Sequence, residues 1–202
     1  MRLAAILLDH PLGAVPATYA LCALMCLNAA RLPARVDDGG NLISLFDQNR
    51  SLWDQSLVQQ GLKFIELSAL GSELTEYHVE TAIASIHSTA SRPEDTNWGM
   101  IVSFYDTLIA IRSSPIVALN RAIAIAQCDG PERGLKELDA IGDRDRLTTY
   151  PFYSAARAEL ELRCGRHQEA RQHFRAALAL ARNPMERRFF DQRISACETR
   201  QS

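Results

Sequence analysis

An all-α fold of antiparallel helix pairs stacked on one another is what this sequence predicts, and three observations carry the prediction. Apolar residues recur at helical rather than alternating spacing through almost the whole chain. Proline, glycine and Asp/Ser clusters cut that pattern into short segments, as helix boundaries do. Segments in the second half also resemble one another at a fixed offset, which marks stacked units that share one continuous core.

In chain order the pattern places helices at 2–9, 15–31, 50–69, 75–90, 95–112, 115–128, 131–141, 151–164, 167–182 and 185–197. Between the second and third, RVDDGGNLISLF (Arg35 to Phe46) sets a DDGGN turn between two β-capable pieces, so a small hairpin or an extended loop is expected near 35–46. The helix from residue 50 opens inside DQNRSLWD. Asp47 or Asn49 suits its N-cap, and Ser51 to Asp54 has capping-box spacing. Arg50 and Asp54, one turn apart, suit a surface pair, and Trp53 an anchor that docks the loop onto the helices. The next helix, TEYHVETAIASIHSTA, carries His78 and His87 with Glu73, Glu76 and Glu80 nearby.

The later helices show the repeat. YDTLIAIRSSP (Tyr105 to Pro115) aligns with FRAALALARNP (Phe174 to Pro184), 69 residues on at every position from the aromatic to the proline. Two units of about 34 residues produce that offset. GPERGLKELDAI, from Gly130, resembles GRHQEARQHFRAAL, from Gly165, which is the intermediate unit. Gly165 permits a tight turn at positive φ, Ala170 and Ala177 let a paired helix approach, Phe174 fills the groove between them, and Pro184 starts the next helix. Gly, Ala, aromatic, Ala and Pro at these offsets are similar to the tetratricopeptide pattern. That resemblance implies a right-handed solenoid whose first helices line a concave binding face, where Asn120 and Arg121 of SPIVALNRAIAIA stand as candidate partner contacts or as inter-repeat hydrogen bonds.

Composition narrows the function. The 202 residues, 47% apolar, suffice for one helical domain over 1–202, with a family-specific part at 1–94 and the repeats at 95–202. A formal charge of −2 offers no surface built to neutralise phosphates, so direct DNA binding is not expected. Five cysteines form an odd, scattered set, and the first residues lack the pattern of a secretory leader, so a reducing cytoplasm is expected. No apolar run approaches the roughly 20 residues that span a bilayer.

No phosphate loop, G-x-S-x-G elbow or H-E-x-x-H motif is present, and the Glu/His helix lacks the Glu-x-x-His pairs of di-iron bundles. Cys22 and Cys26, one turn apart on an apolar helix, suit small buried hydrophobes. No catalytic residue, metal or cofactor is therefore expected, and a small metal-dependent enzyme built on the Glu/His helix is a remote alternative.

Taken together, ARVDDGGNLISLFDQNRSLWD, YHVETAIASIHS, EDTNW, SPIVALNRAIAIA, GPERGLKELDAI and CGRHQEARQHFRAALALARNPMERRF resemble, in order and over about residues 20–193, the long C-terminal tetratricopeptide-like extension of bacterial extracytoplasmic-function sigma factors. Asn49 departs from the family, which usually has Asp there. The sigma core-binding and DNA-binding domains are absent from these residues, and MRLAAILLDH resembles the tail of the helix that follows them, so the chain reads as a fragment or a shortened reading frame. The resemblance implies a non-catalytic regulatory and protein-interaction module in transcription initiation. Its partners would be the parent's own sigma domains, RNA polymerase, or a regulatory protein, and Asp47, Arg50, Trp53 and Asp54 would be candidate contacts. The alternative is a free-standing tetratricopeptide adaptor that binds a peptide in its concave groove. An uncapped repeat end also predicts self-association.

Overall fold

The computed structural model describes residues 2–199. Among them are ten α-helices and no strand: α1 Arg2–Leu8, α2 Pro16–Ala30, α3 Gln55–Ser68, α4 Glu76–Thr89, α5 Trp98–Ile111, α6 Pro115–Cys128, α7 Pro131–Asp139, α8 Pro151–Arg163, α9 His167–Ala179 and α10 Pro184–Thr199. Five of these helices open on a proline, whose missing N–H is harmless in a first turn. Residues 35–46 form an extended loop. Val36 and Leu42 are single bridge residues, and Ile43 N–H donates to Arg35 O at 2.9 Å. From α6 to α10 consecutive helices pack as neighbouring pairs, the solenoid-like arrangement that the repeats predict. None is long and apolar enough to cross a membrane.

The described chain divides into two compact units. The first takes in the segment up to Asp37, Ile43–Asn97 and Ala110–Arg112. Here α2 is the hub, and α3 and α4 both pack on it. Its buried residues are mostly small (Ala20, Cys22, Ala23, Cys26, Ala30), which lets two helices approach one face. Gly61 of α3 is needed there, because a Cβ would lie 2.9 Å from Leu27 Cδ2. Leu27, Ala30, Val58 and Ala84 form the core, and Thr81 ties α4 to α2 by donating its hydroxyl to Ala20 O at 2.8 Å.

The helix expected to begin at residue 50 begins at Gln55 instead. A separate 3-10 turn, Arg50–Leu52, precedes it, with Asn49 as that turn's cap. Asp54 caps α3 itself, accepting from Ser56 N at 2.9 Å and Leu57 N at 3.1 Å. The Ser51–Asp54 capping box does not form, because Ser51 turns back to Asn49 through both its N–H and its hydroxyl.

The second unit comprises Asp38–Leu42, Trp98–Ile109 and the chain from Ser113. Its helices pack in order, α6 on α7, α7 on α8, α8 on α9 and α9 on α10. One core cluster centres on Leu119, Ala122, Leu135, Leu138 and Leu160. A second centres on Ala155, Ala158, Ala170, Phe174, Ala177 and Phe190. Positions repeat 36 residues apart: Leu119 and Ala155, Ala122 and Ala158, Gly134 and Ala170, Leu138 and Phe174 are all buried. Gly130 and Gly165, 35 apart, both turn at positive φ (90° and 78°). The glycine match falls one residue short of the core match because Gly130 is itself the cap of α7, whereas Arg166 intervenes before α9.

Candidate interaction site

The 43–54 segment works as a tertiary clip within the first unit. Ser44 donates to Asp47 Oδ2 at 2.6 Å, and the largely buried Gln48 donates to Ile43 O at 3.3 Å, so the loop is braced locally before the turn. The 3-10 turn then aims Arg50 at the far end of α4. Its Nη1 donates to His87 O at 3.0 Å and Ala90 O at 2.6 Å, and its Nη2 to Thr96 Oγ1 at 3.2 Å. Helix C-termini leave carbonyls without intrahelical partners, and a planar guanidinium there satisfies two at once where a cation is electrostatically favoured. The expected Arg50–Asp54 surface pair therefore does not exist. Carbonyls about 40 residues downstream outcompete the local carboxylate, which is occupied in capping α3.

Trp53 is the anchor that the sequence suggests, 3% exposed. The guanidinium carbons of Arg50 and Arg31 lie 5.1 and 5.6 Å from its ring centroid, within cation–π range. Asp54 N–H donates to Ala30 O at 2.9 Å, tying this corner to the end of α2. Buried beside it, the His87 imidazole is pushed down to about 4, first by loss of solvent and then by the charges of Arg31 and Arg50. Burial also lowers the Arg50 pKa, against the opposing pull of Glu94 and Asp95. Next to Ala90, residues Ile86, Thr89, Ala90, Ser91, Asp95 and Asn97 line an open depression of about 310 Å³.

Asn120 and Arg121 part company. Asn120 is exposed. Arg121 joins α6 to its neighbours in the second unit, with Nε on Asp106 Oδ1 at 2.6 Å and Nη1 on Glu137 Oε2 at 2.7 Å. Burial opposes its charge, but these two carboxylates hold its pKa above the ordinary arginine value. Arg157 occupies the same place in the next repeat, 2.6 Å from Asp139 and 3.9 Å from Glu161. Its signal in the sequence is that it lies 36 residues after Arg121, each six residues beyond a helix-opening proline. Arg31 and His87 carried no such signal, because what brings them to Trp53 is the packing of α2 and α4. The other histidine of α4, His78, accepts from Thr75 N–H at 3.1 Å through Nδ1 and closes the N-terminal cap. Among the described residues, no three His, Cys, Asp or Glu side chains group as metal ligands.

The clip lies in the part of the chain that matches a known family model. Residues 1–69 match a family of unknown function, DUF6596. An uncharacterized protein of Rhizobium meliloti (strain 1021) is 37% identical over 173 residues, which cover 86% of this chain and 40% of that relative. The chain thus spans two-fifths of the length of the relative it matches. No solved structure matches it significantly.

Proposed function

We propose that this chain is a non-catalytic regulatory module that binds protein, and that the protein it serves is an extracytoplasmic-function sigma factor controlling transcription initiation in the cytoplasm. The observation that carries the reading is the combination, in one order, of the DQNRSLWD clip with helix pairs of tetratricopeptide type, each of which resembles the same sigma-factor extension. The Rhizobium meliloti relative is in keeping with a modular reading, since the matching region makes up only 40% of a longer protein. The polar residues of the clip supply caps and tertiary hydrogen bonds, and Arg121 and Arg157 are spent on carboxylates between helices. Such a framework holds a surface rigid, as a partner-binding solenoid requires.

The DNA preceding the Met1 codon tests the sigma assignment. The reading requires an in-frame sequence encoding a core-binding and a DNA-binding domain, and a stop codon in every upstream frame would contradict it. The chain itself leaves promoter reading to those domains. Its charge is −2, and the basic residues near the end are partly committed, Arg193 to Glu159 and Arg188 to Gly40 O. Titration against a labelled promoter duplex at moderate salt should show no sequence-dependent binding; submicromolar, sequence-dependent binding would overturn this part. One observation favours an adaptor that works alone: Asn120, exposed on α6, is a side chain of the kind that clamps a peptide in tetratricopeptide grooves.

A further inference from the structure

The end of the first unit where α1 and α3 finish and α2 and α4 begin leaves leucines in solvent. Leu12, in the turn before α2, is 84% exposed, and Leu70, in the turn after α3, is 81% exposed. Among the described residues no other large apolar side chain is as exposed, and Leu74 and Leu7 stand out beside them at 59% and 51%. The two turns adjoin: a Cβ on Gly71 would lie 2.6 Å from Pro16 Cγ, and further in the rings of Tyr19 and Phe64 meet with centroids 6.1 Å apart. Turns ordinarily carry Gly, Asn, Asp or Ser, and the core needs neither leucine. Yet the turn that holds Leu12 is closely bonded. Gly13 and Ala14 N–H donate to His10 O at 2.8 and 3.0 Å, and Leu12 N–H donates to His10 Nδ1 at 3.2 Å.

The rim of this end is acidic. Asp9, Glu66 and Glu73 are exposed, and among the described residues none of them forms an ion pair. Lys63, one turn before Glu66, offsets one of the three charges. Arg112 is taken up by Glu76 at 2.9 Å, and Arg2 opens α1 at the far end of that helix. His10 uses Nδ1 as an acceptor, which a protonated imidazole cannot do. Arg31, Arg35, Arg50 and Arg92 gather at the C-terminal ends of α2 and α4. That is about 20 Å away along α2, more than two Debye lengths at physiological salt, so those cations do not cancel the carboxylates here.

We propose that this end, built on Leu12, Leu70 and Leu74 and rimmed by Asp9, Glu66 and Glu73, docks a basic amphipathic helix of a protein partner. The helix lays its aliphatic side chains on the leucines and sets its lysines or arginines against the carboxylates. Charge complementarity selects this occupant. A purely apolar segment would cover the carboxylates without pairing them, and a small cation would leave the leucines in water. A second copy joined through the same face would bring the carboxylates against their own counterparts. The inference rests on the reading that this module binds protein, and it names the chemistry of what one face binds.

The probe is a synthetic helical peptide with leucines along one face and lysines flanking them, titrated into the full chain and followed by backbone amide NMR. Saturable shifts confined to residues 7–16 and 65–76 are expected, with affinity at least tenfold weaker in Leu70→Ser and in Glu73→Lys. Both side chains are exposed, so these variants keep the fold; a far-ultraviolet spectrum checks this, and Leu12→Ser and Glu66→Gln test the same face from its other turn and from α3. Raising salt should weaken binding. Equal binding of a Lys/Ser peptide, equal binding of a Glu/Leu peptide, or no shifts at all would each overturn the proposal. Dimerisation of the chain in sedimentation that Leu70→Ser abolishes would give the face to a second copy and overturn it as well. A chain that binds sigma domains but not the peptide loses only this face. One that binds the peptide but not sigma domains keeps the face and loses the sigma assignment.

Discussion

Replacing Arg50 by alanine should destabilise the first unit by removing the hydrogen bonds that tie the segment to α4. The guanidinium makes three hydrogen bonds, at 3.0, 2.6 and 3.2 Å, and its loss leaves the carbonyls of His87 and Ala90 at the end of α4 without that donor. A hydrogen bond from a charged donor contributes about 1.5–3 kcal/mol net, but bonds from one group are not additive. Arg50 is also half-exposed, so solvent recovers part of the loss, and the expected cost is about 3 kcal/mol. With a slope of about 2 kcal/mol per molar urea, the unfolding midpoint should fall by about 1.5 M. The chain has two tryptophans, so Trp53 fluorescence in a Trp98→Phe background reports this corner alone. Arg50→Lys should recover less than half, because an ammonium cannot reproduce the planar fork that spans two carbonyls and a hydroxyl. A midpoint shift below about 0.3 M for Arg50→Ala, or full recovery by lysine, would refute the reasoning.

Three further outcomes follow from the same contacts. His87 is held neutral in the fold, with a pKa of about 4 against 6.5 for the free imidazole, so the unfolded chain binds the extra proton between those values. Its contribution, roughly 3 kcal/mol, is present above pH 6.5 and lost as pH falls towards 4, and His87→Gln should flatten that slope in urea titrations at stepped pH. Phe174, fully buried between Ala170 and Ala177, should cost about 4 kcal/mol as Phe174→Ala in calorimetry, and a loss under about 1 kcal/mol would mean that α9 does not carry the core of its repeat. Burial pushes the Cys26 thiol up to about 11, the nearby Cys22 adding to the shift. A thiol reagent at neutral pH should therefore label the exposed Cys128 first and reach Cys22, Cys26 and Cys197 only on unfolding, and early labelling of Cys26 would contradict the packing of α2.

Much of the second unit was legible because its determinants are local. Gly165 turns at positive φ as its place between two helical patterns implies, Phe174 and its flanking alanines are buried, and Pro184 opens α10. The 43–54 segment was legible in type but not in wiring. Its polar side chains suggested one helix start capped by Asp47 or Asn49, whereas a 3-10 turn separates two starts, capped by Asn49 and Asp54. The partners of Arg50 were invisible for a different reason. They are backbone carbonyls, identical at every residue, and tertiary packing alone brings those of His87 and Ala90 within reach. Arg121 lies between these cases: its inter-repeat bonds were one of two readings, and the geometry supplies Asp106 and Glu137 as the acceptors.

Isothermal titration of the purified chain into the core-binding and DNA-binding domains that the proposed sigma reading requires upstream, if the DNA preceding Met1 encodes them, tests the central claim most directly. A saturable one-to-one complex, weakened when the floor of the clip is removed by Arg50→Ala, is the predicted result. The absence of measurable heat or complex at any accessible concentration, with both proteins folded, would contradict the account.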